Sequence, residues 1–250
     1  MDKMIYAIVS EKNHDRLDSF ILGMKGVACR DLYAVSFEET SVVVSDFKRS
    51  DLMTDRDNII DFASVIEKLA QQFTLLPMRF GSLMDSIDSI TKMLGRNYAE
   101  FQESLQKVEN KCEFGLKIFC ESEKIKADLK AKSEAEPHTL SKNEPEIKYS
   151  VYMEYINRKL KEHRLEEMLL AYTDLVISTI TGRMTQLDAV IKFKKMTTIM
   201  NIIDAVFLLD KGRKDELIHV IADLQIYYPI LNFVLTGPWP PYSFVEIILK

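Results

Sequence analysis

MNIIDAVFLL, residues Met200–Leu209, is the stretch whose reading decides the fold. Successive side chains of a strand point to opposite faces, and here both faces are apolar apart from Asn201 and Asp204. That pattern predicts a central strand buried on both sides. Lys211-Gly212 then turns the chain. Asp215–Gln225 follows as a helix, with Leu217, Ile221 and Leu224 inward and acidic residues in its first turn. Pro229–Thr236 is expected to be a strand with Leu231, Phe233 and Leu235 on one face. Upstream, Tyr149–Ile180 reads as a long amphipathic helix. Its stripe starts with Tyr152, Tyr155, Ile156 and Leu160 and continues through Leu165, Met168, Leu169, Tyr172, Leu175 and Val176, and Gly182 ends it. Arg183–Lys195 fits either a helix or, over Ala189–Phe193, a strand. The resulting helix–strand–helix–strand order is an α+β arrangement of ferredoxin-like type.

Before this region the composition changes. From Glu121 to Lys148 there are no aromatic residues, Lys and Glu dominate, and Pro137 and Pro145 interrupt. This stretch is expected to be a charged helix and linker, 121–148, between an N-terminal α+β domain, 1–120, and a C-terminal domain, 149–236. In the first domain Met4–Val9 predicts a buried strand and Asp15–Leu22 a short helix. Asp31–Ser36 and Ser41–Phe47 predict two strands joined by a tight turn at Glu38-Glu39-Thr40. Asp55–Phe73 has helical spacing, with Ile59, Ala63, Ile66, Ala70 and Phe73 on one stripe. Two further helices are expected over Ser82–Leu94, with Ser82 as N-cap, and over Tyr98–Asn110, separated by Gly95. Glu113–Cys120 predicts a strand that closes the first sheet beside Met4–Val9.

Two segments stand apart. Leu75–Ser82 contains Pro77, which cannot continue a helix, and Arg79 set between Met78 and Phe80. The expected role of Arg79 is structural, its stem packed on the core and its guanidinium paired; the alternative is an arginine that meets a partner. Gly237–Val245 holds three of the seven prolines and the only tryptophan. A chain end so stiff and aromatic loses little entropy on docking and has much apolar area to bury. It is expected to act as a clasp, 237–250, over the domain interface, with Trp239, Tyr242 and Phe244 filling grooves. Read differently, Pro238–Pro241 makes a PxxP ligand for an SH3-type partner.

Composition narrows the function. The 250 residues carry a net charge of −5 and a pI near 5.5, without a basic footprint for nucleic acid. Neither a signal peptide nor the run of ~18 apolar residues that a membrane span requires is visible. Cys29, Cys112 and Cys120 lack CxxC spacing and read as free thiols of a reducing cytoplasm. His163 with Glu166 and Glu167 is the best metal candidate, but charged helix faces are usually just solvated. Phosphate-binding glycine loops and a GxSxG elbow are missing. No catalytic, metal or cofactor residue is expected.

Leu76-Pro77-Met78-Arg79-Phe80-Gly81 together with Gly237-Pro238-Trp239-Pro240-Pro241-Tyr242-Ser243-Phe244 resembles the GvpL/GvpF family of gas vesicle proteins. The order of elements fits the same family over nearly the whole chain. The resemblance implies a two-domain α+β protein whose second domain is a modified ferredoxin-like fold. It implies a cytoplasmic accessory or minor structural protein of gas vesicle assembly, with no enzymatic activity and no cofactor. Its implied partners are the small hydrophobic shell subunit and other accessory proteins, with no nucleic acid and no membrane. The rival expectation is a small-ligand sensor or enzyme that uses the ferredoxin-like domain.

Overall fold

The computed structural model describes residues 1–48, 56–119, 167, 170–194 and 201–245. It is a mixed α+β protein that divides into two compact units. One comprises Met1–Phe114, Leu208–Gly212 and Thr236–Lys250; the other comprises Gly115–Phe207 and Arg213–Leu235.

The first unit is built on β1 (Asp2–Ser10), β2 (Leu32–Phe37), β3 (Thr40–Phe47), β4 (Thr74–Pro77) and β5 (Leu83–Met84). Their order is β2-β3-β1-β4, with β5 also on β1. Met4–Val9 is buried at every position, as expected of the middle of a sheet. Simple alternation would put Tyr6 and Ala7 on opposite faces. The register against β3 slips between Ile5 and Ala7, so Tyr6 is an extra, bulged residue. In consequence Met4, Tyr6, Ala7 and Val9 all join one core cluster, while Ile5 and Ile8 join the other. The bulge aims the Tyr6 hydroxyl at Ser45 Oγ, 3.0 Å away, and at the Val27 amide, which donates to it over 2.9 Å. Gly26 lies so close that a Cβ there would stand 2.2 Å from that hydroxyl.

The β2–β3 turn lies at the expected corner but is only two residues long, Glu38-Glu39, since Thr40 already pairs with Phe37. Glu38 adopts φ 51°, a left-handed conformation costly for a residue with a Cβ. His14, at the start of α1 (His14–Ile21), braces it. Its Nε2 donates to the Glu38 carbonyl at 2.8 Å, and its Nδ1 faces Ser41 Oγ at 3.1 Å.

Helix α1 and α2 (Arg56–Gln72) supply Leu17, Ile21, Phe62, Val65, Ile66 and Leu69 to the first cluster. The stripe of α2 is thus rotated from the expected one. Ile59 remains 43% exposed, and Phe62, Val65 and Leu69 take the buried positions. On the other face lies α3 (Ile87–Val108), one continuous helix rather than the two expected. Ser86, not Ser82, caps it, accepting from the Ser89 amide at 3.1 Å. A mid-helix glycine costs about 1 kcal/mol. Each fully buried Ile, Leu or Phe contributes about 1.5–3 kcal/mol, and Ile90, Met93, Leu94, Phe101, Leu105 and Val108 are buried across Gly95. Packing therefore outweighs propensity.

The second sheet has the order β7-β8-β6-β9, formed by β6 (Lys111–Phe119), β7 (Val190–Phe193), β8 (Asn201–Asp210) and β9 (Asn232–Trp239). This corrects the expectation for Glu113–Phe119, which belongs here and not beside Met4–Val9. β8 is central, as its two apolar faces require, and the open choice over Ala189–Phe193 resolves as a strand. Residues 170–185, α4, are helical and run past Gly182. Their inward stripe is Thr173, Val176, Ile180 and Met184, while Leu175 is exposed. Helix α5 (Lys214–Tyr227) buries Leu217, Ile221 and Leu224. Tyr228 Oη donates to Thr179 Oγ1 over 3.1 Å, tying the end of α5 to α4. Arg213 joins Asp188 at 3.1 Å, Glu216 at 2.9 Å and the Gln186 carbonyl at 3.2 Å, which fixes the loop after α4. The linker expected at 121–148 and the first half of the long helix lie outside the described residues.

Candidate functional site

The two distinctive segments both lie in the first unit. Leu76 and Pro77 end β4 and are buried. The Met78 amide donates to the Tyr6 carbonyl at 2.9 Å, so the chain stays pinned to β1 one residue beyond the strand. A turn then closes where the Ser82 amide donates to the Arg79 carbonyl at 3.1 Å. Gly81, at φ 84°, supplies the left-handed residue that this turn needs. Phe80 sets its ring edge-on to Phe62, centroids 5.5 Å apart.

Arg79 is placed differently from the structural expectation. It is exposed, and its side chain makes no ion pair or hydrogen bond among the described residues. Its neighbours explain this. Met78 and Phe80 both turn inward, so the residue between them at the tip of the turn is left outside.

The tail begins as strand rather than coil, because β9 runs on through Gly237, Pro238 and Trp239. Gly237 has φ 111°, and a Cβ there would stand 2.7 Å from the Glu113 carbonyl and 3.1 Å from the Phe114 ring. Only glycine fits that approach to β6. The Gly237–Pro238 peptide bond is cis. Pro240 and Pro241 are buried, and their carbonyls accept from the amides of Tyr242 at 2.8 Å and Phe244 at 3.1 Å, a tight double turn. Phe244 and Val245 pack on the cluster that contains Leu76 and Met78. The structure thus brings one end of the tail onto the same core as the β4 segment. Trp239 and Tyr242, expected to fill grooves, keep 44% and 41% of their surface exposed.

One residue that sequence reasoning missed holds the tail. Glu113 is only 6% exposed. Its carboxylate accepts from both the amide and the hydroxyl of Ser243, each at 2.7 Å. A carboxylate buried in an apolar strand needs such donors. The available signal was a glutamate between Cys112 and Phe114, the same kind of anomaly that drew attention to Arg79. Burial pushes the Tyr242 hydroxyl up to about 12, with the negative charges of Glu67 and Glu113 adding to the effect.

The arrangement is one of packing and hydrogen bonding. Among the described residues no group of three His, Cys, Asp or Glu side chains could hold a metal ion, and His163 and Glu166 lie outside them. Among the described residues no helix is long and apolar enough to cross a membrane. Among the described residues neither Cys29, which is exposed, nor Cys112, which is buried, is in a disulfide; Cys120 is outside the described residues.

Comparison with known proteins bears on the whole chain. The family model described as "Gas vesicle synthesis protein GvpL/GvpF" matches residues 3–246. Gas vesicle protein F1 of Halobacterium salinarum is 23% identical over 230 residues, covering 90% of this chain and 87% of that protein. Gas vesicle protein L of a Streptomyces species is 22% identical over 231 residues, covering 87% and 81%. The crystal structure of the gas vesicle protein GvpF from Anabaena sp. PCC7120 superposes with a TM-score of 0.75 at 20% identity, covering 99% of this chain and 97% of that one, so the fold is shared. A match running from the third residue through Phe244 and Val245, past both distinctive segments, makes the conclusion plain: the chain belongs to the GvpL/GvpF family of gas vesicle synthesis proteins.

Proposed function

We propose that this protein is a non-enzymatic accessory or minor structural component of gas vesicle assembly, working at the vesicle by binding the small hydrophobic shell subunit and other accessory proteins. The observation that carries the reading is the family match over residues 3–246. The physical task is to cover a water-repelling subunit face that would otherwise aggregate before it is built into a wall.

The family segments divide by role on this reading. Leu76, Pro77, Met78, Gly81, Gly237, Pro240, Pro241 and Phe244 are structural, because each is buried, packs on the core or holds a backbone conformation that its neighbours require. Arg79, Trp239 and Tyr242 are the partner-facing members, since their exposure leaves an arginine and two aromatic rings available, residue types over-represented in binding hot spots. The elements β6, α4, β7, β8, α5 and β9 follow one another as a split βαβ pair with the sheet order given above, which supports a modified ferredoxin-like fold for them.

Co-expression with the shell subunit tests the function. Arg79→Ala is expected to keep the melting temperature of the parent and to recover less shell subunit in a pull-down. A folded Arg79→Ala protein that retains the subunit fully would remove Arg79 from the contact. A wild-type protein that recovers none would remove the function.

A further inference from the structure

β2 stands at one end of the first sheet, so one side of it has no neighbouring strand among the described residues. The tight turn makes Phe37 and Thr40 a hydrogen-bonded pair, and such pairs alternate along an antiparallel ladder. The register on β3 is unbroken, so Tyr33, Val35 and Phe37 turn their main-chain groups to β3 while Leu32, Ala34 and Ser36 turn theirs outward. The chain before β2 covers the first of these. Lys25 forms an antiparallel bridge with Asp31, and the Gly26 amide donates to the Arg30 carbonyl at 2.8 Å, which makes Leu32 the other bonding position of that bridge. Beyond it, the outward amides and carbonyls of Ala34 and Ser36 have no partner among the described residues. Native sheets blunt such edges with shortness, lysine, proline or bulges. β4 has four residues and ends in Pro77, β7 has four residues and carries Lys192, and β9 carries Pro238. β2 has six residues, LYAVSF, and none of these devices.

We propose that this edge pairs with β2 of a second copy of the chain, antiparallel about a two-fold axis at Val35. Elimination fixes the register. An axis at Tyr33 or Ala34 would call on Leu32, which the bridge before β2 already uses. An axis at Ser36 would call on Glu38, which sits in the turn at φ 51°. With the axis at Val35, Ala34 of each copy meets Ser36 of the other, and every outward amide and carbonyl of both residues finds a partner. The side chains match as well. Tyr33 falls opposite Phe37 of the other copy, and Val35 opposite its own counterpart, with no charged residue in the ladder. Tyr33 and Phe37 are only half-buried within one chain, so their rings have surface left to cover. Aromatic and β-branched cross-strand pairs stabilise an antiparallel contact. A strand without this match gains the main-chain bonds alone, which is why a second copy suits the edge best. The shell subunit has no part in this pairing, so it stands or falls apart from the proposed function.

The test is sedimentation equilibrium of the full chain from about 1 μM to about 1 mM, the span of dissociation constants suited to a small interface. The mass is expected to rise from monomer towards dimer. Amide hydrogen exchange, followed by NMR at both ends of that range, locates the contact: the Ala34 and Ser36 amides should slow about twofold or more at the higher concentration. Ser36→Pro removes an outward amide, a change that edge strands tolerate. By symmetry it deletes half of the main-chain bonds and is expected to weaken association about tenfold or more. Ser36→Ala loses the same hydroxyl contact with Ser41, at 2.8 Å, but keeps the amide, and is expected to associate like the parent. The proposal is overturned by a monomer at every concentration, which would leave the edge to a strand of a different protein. It is also overturned by a dimer in which Ala34 and Ser36 exchange as fast as in the monomer, or by a folded Ser36→Pro that associates undiminished. If Ser36→Pro does not fold, the exchange rates of the parent decide alone.

Discussion

Removing the Ser243 hydroxyl takes from Glu113 one of the two donors its buried carboxylate receives, each at 2.7 Å. Hydrogen bonds to a charged group contribute about 1.5–3 kcal/mol, against about 1 for a neutral pair. At 6% exposure water cannot replace the lost donor freely, so the upper half of that range applies to Ser243→Ala. For a chain of 250 residues this corresponds to a fall in melting temperature of roughly 5–12 °C. Glu113→Gln keeps the shape but turns one acceptor into a donor facing the Ser243 hydroxyl. The two changes act on one contact, so the double mutant should be less destabilised than the sum, by about 0.5–3 kcal/mol. The assay is urea denaturation of the four proteins, with limited proteolysis at the C-terminus to report release of the tail. A Ser243→Ala effect below about 0.5 kcal/mol, the scatter of ordinary surface changes, would refute the reasoning. So would strict additivity with Glu113→Gln.

Gly237→Ala should destabilise by about 2 kcal/mol or more, since the new Cβ meets the Glu113 carbonyl at 2.7 Å and φ 111° is strained for alanine; a melting curve like that of the parent would contradict it. Tyr6→Phe leaves the Val27 amide without its acceptor in the core and should cost about 1–3 kcal/mol in denaturant titration. The Tyr242 hydroxyl, at about 12, loses its proton less readily in the folded chain than in the unfolded one, whose value is near 10. Its contribution is therefore complete below pH ~10 and lost as pH rises towards ~12. Because the ring is part exposed, solvent screening keeps this modest; Tyr242→Phe should nonetheless flatten the alkaline fall in melting temperature, and an unchanged slope would count against it.

Much of this architecture was legible because it follows from local pattern. β8 announces itself by two apolar faces, the β2–β3 turn by its length between two β-branched runs, and α2 by its period. What stayed hidden depends on contacts between distant residues. Nothing local in Tyr6 marks it as a bulge; the slip is visible only against Val43 and Val44 of β3. Gly95 reads as a break because propensity is local, whereas the core that carries α3 through it is not. Glu113–Phe119 is strand-like in any sheet, and sheet membership is decided by its neighbours. At the candidate site the distinctive residues were visible as outliers of composition. Their division into buried and exposed was not, because Arg79 faces outward for a reason that lies in where Met78 and Phe80 find their partners. Ser243 was read as part of a motif, and its bond to Glu113 joins residues 130 positions apart.

The measurement closest to the central claim is co-purification of this chain with the gas vesicle shell subunit from cells that make both. Recovery at low and at high salt is expected, because an association driven by covering an apolar face weakens little with ionic strength. Failure of the subunit to appear with a folded, tail-protected protein at either salt would contradict the account.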